Sequence, residues 1–133
     1  MRDIELEMKL QKSLNDGNNV WVIGDVHGFN QTLRSLVAKL DIKTGDYVVL
    51  LGDLIDRGPN SYDVIQFVKN SPNMATVKGN HEKMMAQVFS ISRLEKPDLR
   101  ISTWFYNGGL STATSYINAY TDSSGIENTE ELH

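Results

Sequence analysis

The sequence predicts an α/β fold: a mainly parallel sheet flanked by helices. Short apolar, β-branched runs alternate with longer segments whose apolar residues recur at helical spacing. Strands alternating with helices imply right-handed crossovers and hence parallel pairing. The 133 residues, 40% of them hydrophobic, suffice for one domain with a buried core.

Residues 1–14 read as an amphipathic helix, with Leu6, Leu10 and Leu14 at i, i+4 and i+8, and Asn15-Asp16-Gly17-Asn18-Asn19 breaks it. Val20-Trp21-Val22-Ile23 has the character of a strand buried on both faces. After a loop over 24–29, residues 30–40 place Leu33, Leu36, Val37 and Leu40 on one helical stripe. Thr44-Gly45-Asp46 is a turn, and Tyr47-Val48-Val49-Leu50-Leu51 a second buried strand. Residues 52–60 form another loop. Asn60 with Asp63 resembles a capping pair for a helix running to Lys69. Ala75-Thr76-Val77 is a weaker strand and Gly79-Asn80 a turn. A helix over 82–90 should turn Met84, Met85, Val88 and Phe89 inward. Residues 93–100, charged and containing Pro97, read as a connection, and 111–120 as a helix. Asp122-Ser123-Ser124-Gly125 is a loop, and Asn128-Thr129-Glu130-Glu131-Leu132 starts a capped helix that the last residue, His133, cuts short.

Composition excludes several functions. No apolar stretch approaches the ~20 residues of a membrane span, and the alternating start is unlike a secretory signal. The absence of cysteine removes disulfides, thiolate zinc sites and a cysteine nucleophile, and fits a reducing, cytoplasmic compartment. A net charge of −4 without a basic run argues against nucleic-acid binding.

Each expected strand runs into a loop that opens with glycine and a potential metal ligand: Gly24-Asp25-Val26-His27-Gly28, Gly52-Asp53-Leu54-Ile55-Asp56-Arg57-Gly58 and Gly79-Asn80-His81-Glu82. In an open parallel sheet the carboxyl ends of the strands share one crevice, so three remote loops converge there. Carboxylate, amide oxygen and imidazole suit manganese, iron or zinc. Arg57 offers a planar fork for phosphate oxygens. One such loop alone is an ordinary turn, and Asp56-Arg57 alone an ordinary surface pair. The three together point to a metal or phosphate site.

The three loops resemble the signature of the calcineurin-like metallophosphoesterases, most closely the bacterial and phage serine/threonine protein phosphatase branch, over residues 20–116. Trp104-Phe105-Tyr106-Asn107-Gly108-Gly109, followed by Ser115-Tyr116, is similar to a further stretch of that branch. Read without the resemblance, it is an aromatic patch before a glycine turn.

The resemblance implies two divalent ions, manganese before iron or zinc, and the first half of a β-sandwich. Asp25 and His27 would hold the first metal, Asp53 would bridge both, and Asn80 would bind the second. His81 would protonate the leaving alkoxide and Asp56 would orient it. Arg57, with Asn80 and His81, would bind the phosphate. Metal-activated water would attack phosphorus directly, without a phosphoenzyme. Diadenosine tetraphosphate hydrolases carry a similar signature but usually lack the acid at Asp56 and have Asp in place of Glu82.

Family members are roughly twice this long and supply two more histidines and another arginine downstream. His27 and His81 are already assigned, and His133 lies in no motif. The expectation is a metallophosphoesterase domain over 1–133, truncated at its carboxyl end, that holds one metal weakly and a second hardly at all. A sheet face left uncovered would favour self-association. The expected substrates are phosphoproteins or small phosphoesters. The competing readings are a dinucleoside polyphosphate hydrolase, a non-catalytic truncated pseudo-phosphatase, and a small interaction domain whose Gly-Asp loops are only turns.

Overall fold

Asp3 opens the first element of the computed structural model, which describes residues 2–90 and 97–123. Its side chain accepts the Leu6 N–H at 2.9 Å, which starts α1 (Ile4–Asn15) three residues later than the apolar pattern suggests. Glu5 and Glu7 in the first turn and Lys12 in the last complement the helix dipole. Leu14 is exposed rather than part of the buried stripe, and the buried residue of α1 is Ser13. Its hydroxyl donates to Gly45 O at 2.6 Å, which ties the helix to the turn before the second strand.

Three short strands follow: β1 (Val20–Ile23), β2 (Tyr47–Leu50) and β3 (Met74–Thr76). They form one parallel sheet in the order β1-β2-β3, with Val20 opposite Tyr47 and Val48 opposite Met74. The crossovers are α2 (Asn30–Lys39) and α3 (Ser61–Lys69), and α4 (Asn80–Ser90) leaves β3. The α/β expectation and the parallel sheet therefore hold.

The core lies on one face of this sheet. Ile23, Val48 and Leu50 pack with Leu33 of α2 and Val64 and Val68 of α3. Alternation sends Val20, Val22 and Val49 to the other face. A surface cavity lined by Leu6 and Lys9 of α1 with Ala75 and Thr76 marks where α1 passes over it. Val22 nevertheless stays 61% exposed, so β1 is not buried on both faces. Apolar composition signalled a strand but could not report what covers each side.

The helices show the same limit. Leu36 and Phe89 face outward although they sit on apolar stripes. Asn60 precedes α3 but makes no side-chain cap bond; the Tyr62 N–H goes instead to Ser115 Oγ at 3.0 Å, from a helix 53 residues away. Residues 97–100, expected in a connection, begin α5 (Pro97–Trp104). Proline is favourable in a first turn, where its missing N–H costs nothing. A π-helical segment (Phe105–Gly109) joins α5 to α6 (Leu110–Ser123), which runs past the loop expected at Asp122. Gly108 has φ 104°, so the glycine turn is a kink between two helices. Residues 93–96, the capped helix at 128–132 and His133 lie outside the described residues.

The loop after β2 is part of the core. Leu54 and Ile55 are 1% and 0% exposed. Burying two such side chains stabilises by about 1.5–3 kcal/mol each. Their neighbours Asp53 and Asp56 sit at φ 52° and 74°. That backbone costs on the order of 1–3 kcal/mol per residue. The buried pair offsets the strain and holds the intervening turn in one shape.

Candidate metal centre

The sheet brings its three strand-end loops together at the carboxyl edge. Val26 N–H and His27 N–H both donate to Asp53 O, at 3.1 and 3.0 Å, and Gly28 N–H donates to Leu54 O at 2.8 Å. These bonds lock the first loop onto the second. The third loop is held by side chains. Asp53 Oδ1 accepts the His81 N–H at 2.9 Å, so the carboxylate satisfies a free donor of the first turn of α4. Glycine is required at position 79, because a Cβ there would collide with Asp53 N and Oδ1.

Asp25, His27 and Asp53 each offer a ligand atom, and these atoms lie within 4.8 Å of one another. Asp25 is exposed, whereas His27 and Asp53 are half-buried, so the cluster opens to solvent on the Asp25 side. His27 Nε2 stands 3.7 Å from Asp25 Oδ2. His27 Nδ1 is 2.8 Å from Ile55 O. A carbonyl can only accept, so Nδ1 carries the proton and the Nε2 lone pair remains for a cation. Carbonyl-anchored imidazole of this kind is the usual outer support of a metal-binding histidine. The donor set, two carboxylates and one imidazole without sulfur, fits a hard or borderline divalent ion.

Beside this cluster lies a second pair. His81 Nδ1 is 2.8 Å from Asp56 Oδ2; His81 is 7% exposed and Asp56 is fully buried. The His81 ring meets the His27 ring edge-on at 4.6 Å between centroids. Arg57 follows Asp56 and is exposed at φ 73°, with its N–H donating to Gly108 O at 3.0 Å. Asn80 is the first residue of α4, exposed beside His81.

Several supports escape sequence reasoning. Glu82 stands in the third motif without an assigned task, yet its carboxylate receives three backbone N–H groups from two of the loops. Trp104, at the end of α5, and Thr112 of α6 both reach Asp56. Neither leaves a local signal in the sequence, because the chain kinks at Gly108 between them, and Asp56 lies 48 and 56 residues away.

A calcineurin-like phosphoesterase family model matches residues 19–132. The chain belongs to that family. Relatives of two kinds resemble it. Serine/threonine-protein phosphatase 2 of Escherichia coli K12 is 43% identical over 53% of this chain and 33% of its own length. Serine/threonine-protein phosphatase 1 of Salmonella typhimurium LT2 is 33% identical over 82% of this chain and 46% of its own. The symmetrical bis(5'-nucleosyl)-tetraphosphatase of Enterobacter sp. 638 is 40% identical over 63% of this chain and 30% of its own. The chain thus matches between a third and a half of the length of the phosphatases, and slightly less of the tetraphosphatase. Among the described residues no helix is long and apolar enough to cross a membrane.

Proposed function

We propose that the chain carries the metal-binding and proton-donating residues of a phosphoesterase that acts on phosphoserine and phosphothreonine. One observation carries this reading: the Asp25–His27–Asp53 cluster sits beside a histidine fixed by a buried aspartate. A cation cluster alone would suit storage or structure, and the adjoining acid is what hydrolysis adds.

Asp25, His27 and Asp53 would hold a divalent ion, with Asn80 and Asp53 contributing to a second. Such an ion supplies positive charge for phosphate oxygens and makes water nucleophilic at neutral pH. The chain's own groups do the rest. Arg57 binds phosphate oxygens through its guanidinium fork. His81 gives a proton from Nε2 to the departing serine or threonine oxygen. Asp56 keeps the imidazole in place by accepting from Nδ1.

The choice of substrate is supported by the acid at Asp56 and by Glu rather than Asp at position 82, the two points at which the signature leans from the tetraphosphate hydrolases to the protein phosphatase branch, and by the two phosphatase relatives. The test compares a phosphoserine peptide, p-nitrophenyl phosphate and diadenosine tetraphosphate in manganese, with and without chelator, using the unsubstituted chain and Asp53→Ala. Chelator-sensitive, Asp53-dependent turnover of the phosphopeptide in preference to the dinucleotide is expected. The opposite preference would make the chain a dinucleoside polyphosphate hydrolase. Manganese binding without any Asp53-dependent turnover would make it a non-catalytic binding module.

A further inference from the structure

Asp56 is an ionisable side chain with no access to water, so its carboxylate depends on protein donors. Trp104 Nε1 lies 3.0 Å from both of its oxygens. Thr112 Oγ1 lies 2.6 Å from Oδ1, and His81 Nδ1 lies 2.8 Å from Oδ2. An indole N–H only donates. The Thr112 hydroxyl already accepts the Asp56 N–H at 2.8 Å, and its own proton has a closer partner in Oδ1 than in Ser61 Oγ at 3.0 Å. Rotation of the carboxylate would break the bonds to Trp104 and Thr112. In the orientation they impose, Oδ2 is presented to His81.

We propose that Trp104 and Thr112 are positioning residues for the Asp56–His81 pair: their N–H and O–H fix the Asp56 carboxylate so that it holds His81 by Nδ1 and leaves Nε2 free. Neither touches the reacting atoms, and both act through Asp56. Their own placement is rigid. Trp104 is 3% exposed, and a Cβ at Gly109 would collide with its ring, so only glycine lets the next helix pass. Gly108, between Trp104 and Thr112, accepts the Arg57 N–H, so this helical hairpin grips Asp56 and Arg57 from one side. The catalytic importance of the pair rests on the proposed phosphoesterase reading, whereas the positioning itself does not.

The test therefore uses the full chain without metal or substrate. In the ¹⁵N-labelled protein, exchange of the His81 Nδ1–H with water reports how firmly Asp56 holds it. Thr112→Val keeps the shape and loses the hydroxyl, Thr112→Ser keeps the hydroxyl and loses a methyl, and Trp104→Phe loses the indole N–H. Exchange should quicken on the order of tenfold in Thr112→Val and Trp104→Phe, the factor expected for one lost hydrogen bond. It should remain near the unsubstituted rate in Thr112→Ser. If Trp104→Phe does not fold, the two Thr112 variants decide alone. Three results would overturn the proposal: an unsheltered Nδ1–H in the unsubstituted chain, unchanged exchange in Thr112→Val, or faster exchange in Thr112→Ser than in Thr112→Val. Absence of turnover would count against the phosphoesterase reading and leave this one intact.

Discussion

Glu82 reaches back to the backbone of Asp53: its Oε1 accepts the Asp53 N–H at 2.6 Å. The same oxygen accepts Gly79 N–H at 2.9 Å, and Oε2 accepts Leu54 N–H at 2.9 Å. One carboxylate thus closes the third strand-end loop onto the second, beside the oxygens of Asp53 that face the cluster. Glu82→Gln replaces one acceptor with an NH₂ group that opposes a backbone N–H. The loss should be about 1–3 kcal/mol of stability, the penalty for an unsatisfied buried donor. Urea unfolding measures it. Manganese affinity should fall about 10–100-fold in the same variant, as for other outer supports of metal ligands.

Asp53 is the shared member of the cluster and also receives the His81 N–H. Asp53→Asn keeps an oxygen for that N–H but removes the negative charge a cation needs. Manganese binding followed by calorimetry should weaken by more than the ~10–100-fold typical of an outer support. The unfolding midpoint without metal should change little by comparison.

Gly108 stands at φ 104°, and a Cβ there would lie 2.7 Å from Arg57 Cγ and 2.9 Å from Arg57 N. Gly108→Ala meets both penalties. A disfavoured φ alone costs on the order of 1–3 kcal/mol, and the overlap adds to it. Thermal unfolding should show a clear drop. Thr114→Ala, at an exposed position of α6, should instead raise stability slightly, by at most about 0.7 kcal/mol, because alanine is the better helix former.

Asp46 gives the fold an acid-sensitive joint. Its carboxylate accepts Asn19 N–H at 2.8 Å and Lys43 N–H at 3.0 Å, and these bonds hold its pKa below the usual carboxylate value. A lowered folded-state value means that the unfolded chain binds the proton more readily. The stabilisation is therefore complete above the ordinary aspartate value, about 3.9, and is lost as pH falls through the folded-state value. Urea midpoints on either side of that window should fall on acidification, and fall less in Asp46→Asn.

Much of this arrangement was legible before any coordinates. β1 and the start of α2 fall where the apolar periodicity places them, because short β-branched runs and helical stripes report local geometry directly. The meeting of Asp25, His27 and Asp53 was also legible, since a parallel sheet brings successive strand ends to one edge. Exposure was not. Val22, Leu36 and Phe89 look like core residues by composition, but what covers a side chain is decided by elements far along the chain. Trp104 and Thr112 were hidden as partners of Asp56 for the same reason: hydrogen bonds spanning 48 and 56 residues leave no local periodicity at either end. Asn60 shows the converse, a convincing local cap motif displaced by the long-range donor–acceptor pair of Tyr62 and Ser115.

The distances along the chain at which Asp56 finds its partners set an order of assembly during synthesis. The residues that join the first two loops all precede Ser61, so they emerge from the ribosome well ahead of Thr112. The histidine–aspartate couple must wait for Thr112, because long-range closure precedes the contacts that reward it. The three-residue cluster and the fully held histidine–aspartate couple therefore become possible at separate moments of translation.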